Sequence, residues 1–191
     1  MNYKGLIVTI TSLMLIACGS ESEDATFLEG TWKPDYCYDS SADGQYYANT
    51  TFTFSGSRLY TLSTTYSSSG CEDQFKISEF RTTNTFKILE NVALGTGENV
   101  TKLEISISSA DFVALNADGV ARANTRETCD RSDWVAGESQ SVLDCFFPTA
   151  DDRITKQIAY IDDNNELFLG LVPEGEDYPT ELDYDEPHIK K

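Results

Sequence analysis

Leu103-Glu104-Ile105-Ser106-Ile107-Ser108 decides the fold. Leu103, Ile105 and Ile107 alternate with Glu104, Ser106 and Ser108, so every second side chain is apolar. That period suits a half-buried β-strand and opposes a helix, whose apolar residues recur every three or four positions. The pattern repeats outward in both directions. Thr51-Phe52-Thr53-Phe54 alternates. In 58–66, Tyr60, Leu62, Thr64 and Tyr66 share one face. Phe75 with Ile77, and Phe86 with Ile88, mark two further runs. Downstream, 112–115 and 120–125 flank Asn116-Ala117-Asp118-Gly119, which reads as a hairpin turn with a glycine available for positive φ. The runs 154–161 and 167–172 flank Asp162-Asp163-Asn164-Asn165 in the same way. The stretch 128–139 reads as a long loop, with weak signal for a short helix over 139–145. About eight to ten short strands in sequential hairpins predict an all-β antiparallel meander. Closing it into a barrel removes the exposed edges; a two-sheet β-sandwich is the competing arrangement.

The N-terminus carries an address. Residues 1–4 are a short basic start, and 5–16 form an apolar run diluted by Thr9, Thr11 and Ser12. A spanning helix needs about 20 mostly apolar residues, so this run suits a signal-peptide core. It ends at Leu15-Ile16-Ala17-Cys18, which resembles the lipobox of bacterial lipoproteins. That resemblance implies removal of 1–17, acylation of Cys18, and anchoring to the membrane by the N-terminal lipid. Several acyl chains hold where one would not, at about 0.8 kcal/mol per buried CH₂. Gly19 rather than Asp after the cysteine implies sorting to the outer membrane. The resulting organisation is signal peptide 1–17, lipidated Cys18 and acidic linker 18–26, barrel domain 27–172 and acidic tail 173–191.

The chain has 191 residues and a net charge of −18, from 14 Lys and Arg against 32 Asp and Glu. Lys4 is the one charge in 1–17, so cleavage leaves the mature chain more acidic still. Such a chain is repelled by nucleic acid and by anionic lipid surfaces, which leaves no nucleic-acid partner to expect. Setting Cys18 aside, Cys37, Cys71, Cys129 and Cys145 remain. An even number in an exported chain reads as two disulfides. Chain order favours Cys37–Cys71 and Cys129–Cys145 among three pairings, since each pair flanks one run of strands. No CxxC and no accompanying histidine point to zinc or redox chemistry.

Gly30-Thr31-Trp32 resembles the Gly-x-Trp that opens the first strand of lipocalins. With Cys37, Tyr46, the Phe52/Phe54 strand and Tyr66-Ser67-Ser68-Ser69-Gly70-Cys71, the opening is similar to a widespread group of uncharacterised proteobacterial lipoproteins with W-x₄-C and Y-x₄-C elements. Cys129 with Trp134, Leu167-Phe168-Leu169-Gly170 and Pro179-Thr180-Glu181-Leu182-Asp183 extend the similarity over most of the mature chain. The resemblance implies a lipocalin-like barrel and transfers no activity.

Catalytic chemistry is sparse. His188, the one histidine, falls in the tail and reads as exposed there. Gly137-Glu138-Ser139-Gln140-Ser141 lacks the final glycine of a nucleophile elbow. Gly95-Thr96-Gly97-Glu98-Asn99-Val100 lacks the third glycine of a dinucleotide fingerprint and precedes a strand. Asp162, Asp163, Asn164 and Glu166 offer hard oxygens but no calcium-loop spacing. The expectation is a non-enzymatic protein without metal or cofactor, with carboxylate-based hydrolysis a remote alternative. Ten Tyr, ten Phe and two Trp point elsewhere. Trp32, Phe52, Phe54, Tyr60, Leu62 and Tyr66 form an aromatic wall suited to a small apolar or amphipathic ligand inside a barrel. The alternative is a filled core serving an envelope interaction module.

Overall fold

The computed structural model describes residues 27–41, 44–171 and 178–191. The signal peptide, Cys18 and the linker through residue 26 lie outside the described residues.

Ten strands form one antiparallel sheet: β1 (Gly30–Lys33), β2 (Tyr38–Asp39), β3 (Tyr47–Ser55), β4 (Arg58–Tyr66), β5 (Lys76–Ala93), β6 (Asn99–Ala114), β7 (Ser139–Ser141), β8 (Ile154–Ile161), β9 (Glu166–Leu169) and β10 (His188–Lys190). Eight of them run β1-β10-β9-β8-β6-β5-β4-β3, and β3 pairs back onto β1. The sheet is therefore a closed barrel, not a sandwich, and is consistent with a lipocalin-like fold. Closure follows from the register Gly30↔Phe54, Thr31↔Thr53 and Trp32↔Phe52. The chain then kinks out through Pro34. β2 takes up the other half of β3, and the buried Asn49 amide donates to the Pro34 and Tyr36 carbonyls to hold that kink.

The runs read separately around Ile77 and Phe86 are one 18-residue strand, β5, and those around Ile105 and Phe112 are one 16-residue strand, β6. A register shift after Thr83 leaves Ser108 as an extra residue in β6, so its apolar face passes from Leu103, Ile105 and Ile107 to Ala110 and Phe112, while β5 keeps its alternation from Thr82 to Phe86.

The predicted hairpin at Asn116–Gly119 is instead the start of α1 (Ala117–Thr125), and Val120–Thr125 is helical rather than extended. The Asn116 side chain caps the helix by accepting from the Gly119 N–H at 3.0 Å, while its amide donates to the Lys76 carbonyl. Gly119 and Ala123, four apart, form the buried face. A Cβ on Gly119 would lie 2.0 Å from the Ile77 carbonyl oxygen. The glycine is there for close approach, not for a left-handed turn. The second helix, α2 (Leu143–Phe146), is a single turn that overlaps only the end of the weakly signalled segment 139–145, whose start is the strand β7.

Both disulfides pair as chain order predicts. Cys37–Cys71 and Cys129–Cys145 have Cα atoms 5.9 and 5.5 Å apart. The second bond closes the long loop, which carries Trp134 into a core with Ala110, Ala123 and Val142. This cluster packs toward the end of the barrel where β6 finishes. Toward the opposite end, Leu28, Trp32, Phe54, Leu59, Phe86, Leu103 and Leu167 form the main core. Trp32 is 0% exposed, and its indole N–H donates to the Leu28 carbonyl at 2.7 Å.

The segment read as an acidic tail belongs partly to the barrel. Tyr178 and Leu182 pack on Val100, Ile158 and Phe168, on the outside of β8, β9 and the start of β6. Leu171 and Asp183 exchange backbone bonds with Glu181 and Leu169. Gly170 admits this layer, since a Cβ there would meet Pro179 at 2.4 Å. The Tyr184 hydroxyl reaches Glu98 at 2.6 Å, which pushes its pKa up to about 12. The chain then returns as β10, filling the gap between β1 and β9.

Candidate functional site

The lumen between the two end clusters holds a cavity of about 190 Å³. Six strands contribute to its wall: β3 through Phe52 and Phe54, β4 through Leu59 and Thr61, and β5, β6, β8 and β9 through the residues facing them. The wall is mostly apolar, with Leu103, Ile105 and Ile107 of β6 forming one side. Five polar side chains interrupt it: Thr61, Thr82, Asn84, Thr155 and Gln157. None of the described lining residues is charged.

Of the aromatic wall expected from the sequence, Phe52 and Phe54 line the cavity. Trp32 packs against them in the adjoining core. Tyr60 does not join them. It is 39% exposed on the outer surface, where its hydroxyl meets the Arg58 guanidinium. Leu62 shares that outward face, and Tyr66 is buried but does not line the cavity. The period of two in β4 was legible, but the inward face is the one carrying Leu59 and Thr61. Strand alternation cannot say which of its two faces is inside.

The lumen's polar groups were not found by sequence reasoning. Asn84 and Thr82 sit in a Thr-rich run with no periodic contrast. Asn84 is 3% exposed and donates from its amide nitrogen to the Thr82 hydroxyl at 2.8 Å. Its amide oxygen has no hydrogen-bond partner among the described residues. Gln157 differs. Its side-chain oxygen accepts from the Ile158 and Gly170 N–H groups, at 2.8 and 2.9 Å.

His188, expected on an exposed tail, is 4% exposed in β10. Its ring lies 5.0 Å from that of Phe52. Burial holds its pKa below the ordinary histidine value, against backbone hydrogen bonds with Glu186 and Leu167 and the charge of Asp183, which pull the other way. Nδ1 has no partner among the described residues. It does not line the cavity, and no serine or cysteine is among the described lining residues.

The other motifs are turns. Asp162 accepts from the Asn164 and Glu166 N–H groups and from the Asn164 amide, so its oxygens hold the β8–β9 hairpin. Gly97 belongs to the β5–β6 hairpin, its N–H bonding to the Leu94 carbonyl. Gly137, at φ +79°, lies in the loop before β7. Among the described residues, no group of three or more His, Cys, Asp or Glu is placed to hold a metal ion, and no helix is long and apolar enough to cross a membrane.

The cavity wall is thus mostly apolar, with isolated polar groups. No family model matches this chain, and no curated protein matches it in sequence.

Proposed function

We propose that this protein is a non-enzymatic, outer-membrane-anchored lipoprotein whose barrel binds a small apolar or amphipathic ligand. The observation that carries the ligand reading is the lumen cavity, walled by Phe52, Phe54 and Ile105 between two packed ends. Its volume is below the roughly 300–1,000 Å³ of sites for drug-sized ligands. The ligand is therefore small. The partly filled lumen also favours a second reading, in which the barrel is an envelope interaction module. Phe146 and Ile154, about half exposed near the disulfide-bonded loop, would then belong to its contact surface.

Native mass spectrometry of the protein from its own cells separates these. A ligand barrel should retain an adduct of small mass over the polypeptide and its acyl group. Only bare acylated chain, across progressively gentler conditions, would favour the interaction module.

The anchor rests on Leu15-Ile16-Ala17-Cys18 and the short acidic spacer after it. Cys18→Ser should abolish acyl labelling and move the protein from the membrane fraction to the soluble one. Unchanged fractionation would sink the lipoprotein assignment.

A further inference from the structure

We infer that the lumen selects neutral ligands that carry a hydroxyl or N–H donor on a compact apolar body, with Asn84 as the group that reads the donor. The inference rests on the ligand-barrel reading above and adds the chemistry of its occupant.

Size comes first. A cavity of about 150 Å³ accommodates benzene, so about 190 Å³ suits a molecule of about eight heavy atoms. Charge comes second. The described lining residues are uncharged, and the chain as a whole is at −18. A carboxylate drawn into this lumen would lose its hydration and find no cation. Fatty-acid-type anions are thereby disfavoured.

Hydrogen bonding comes third and is the most specific. The Asn84 carboxamide is anchored on one side only, to Thr82 at 2.8 Å. The other side, buried and facing no protein donor, is a standing acceptor. Exchanging the amide's nitrogen and oxygen would leave an N–H unpaired instead, which a ligand hydroxyl also satisfies through its oxygen. The Asn84 oxygen is closed even to a molecule the size of water, so the group is buried unpaired. It meets a donor from the lumen only when the Asn84 side chain turns to present it there. A ligand hydroxyl then satisfies the oxygen, and a hydrocarbon leaves it unpaired.

Benzyl alcohol, ethylbenzene and benzoate test all three points, since the first two differ by a hydroxyl in place of a methyl. Titrations with the purified protein should give measurable binding of the alcohol and none of benzoate. In Asn84→Leu, which keeps the side-chain volume, affinity for the alcohol relative to ethylbenzene should fall about three- to tenfold. The ratio of the two ligands cancels their different tendencies to leave water.

An unchanged ratio, with both ligands bound, would overturn the donor inference and leave the ligand barrel standing. Binding of neither by the wild-type protein would overturn both. Benzoate binding as tightly as the alcohol would overturn the charge selection. Should Asn84→Leu fail to fold, the wild-type protein still decides. The Asn84 side-chain carbonyl ¹³C resonance should shift with benzyl alcohol and not with ethylbenzene. An equal response to both would count against Asn84 as the reader.

Discussion

A chain ending before Tyr178 should fail to fold into a cooperative domain. The truncation removes β10, the strand that fills the gap between β1 and β9. It also strips Leu182, 4% exposed, from the outer core on Val100 and Ile158, and His188 from beside Phe52. Loss of one buried leucine side chain costs about 2–5 kcal/mol. Two newly open strand edges add unpaired backbone groups. Together these rival the roughly 5–15 kcal/mol that holds a domain of ordinary stability. The truncated protein should lose its near-ultraviolet circular dichroism, bind an apolar dye and melt without a sharp transition. A cooperative melt within a few degrees of the intact protein would show that the final strand is dispensable.

Trp32→Ala should be the most damaging single substitution. The indole is fully buried in the main core and packs with Leu28, Phe54 and Leu167. Truncating a buried tryptophan to alanine costs about 3–5 kcal/mol. Here it also leaves the Leu28 carbonyl without the indole N–H that reaches it at 2.7 Å. At about 2–4 °C per kcal/mol for a domain of this size, the melting temperature should drop by roughly 10 °C. Tyr60→Ala, on the outer face of β4, should cost no more than about 0.5 kcal/mol. Thermal melts of the two variants check this directly. Equal destabilisation would mean that the faces of β4 have been assigned the wrong way round.

That contrast marks where the sequence was legible. Tyr60 and Trp32 looked like two parts of one aromatic wall. The strands holding them were plain from alternation, because a half-buried strand needs one apolar face. Which face turns inward depends on the partner strand and on closure, neither of which is local. Phe52 and Phe54 were identified because both faces of β3 did not compete for apolar residues; β4 carries large side chains on each.

Helix α1 was lost for a different reason. Asn116-Ala117-Asp118-Gly119 has the composition of a turn, and the glycine tipped the reading that way. Ala117, Ala121 and Ala123 were the available counter-signal, with Asn116 as a helix cap. The tail was misjudged on average composition. Its acidic residues masked Tyr178, Leu182 and His188, three buried or half-buried side chains spaced among them. The disulfides were readable because chain order and strand order coincide in a meander. The polar lumen was not, since Asn84 and Thr82 owe their role to a neighbourhood assembled from six strands.

The place of β10 in the ring has a consequence for time as well as for shape. The final three-residue strand joins the first strand to the ninth. Under the export proposed above, a polypeptide emerging N-terminus first from the membrane it crosses can pair β3 with β4 and β5 with β6 while the rest is still crossing. It cannot shut the ring until residues 188–190 are free. Until that moment β1 and β9 each present an unsatisfied edge, the kind of surface that recruits other strands. The barrel is thus latched by its tenth strand, and its period of greatest vulnerability falls between the emergence of residue 169 and the arrival of residue 188.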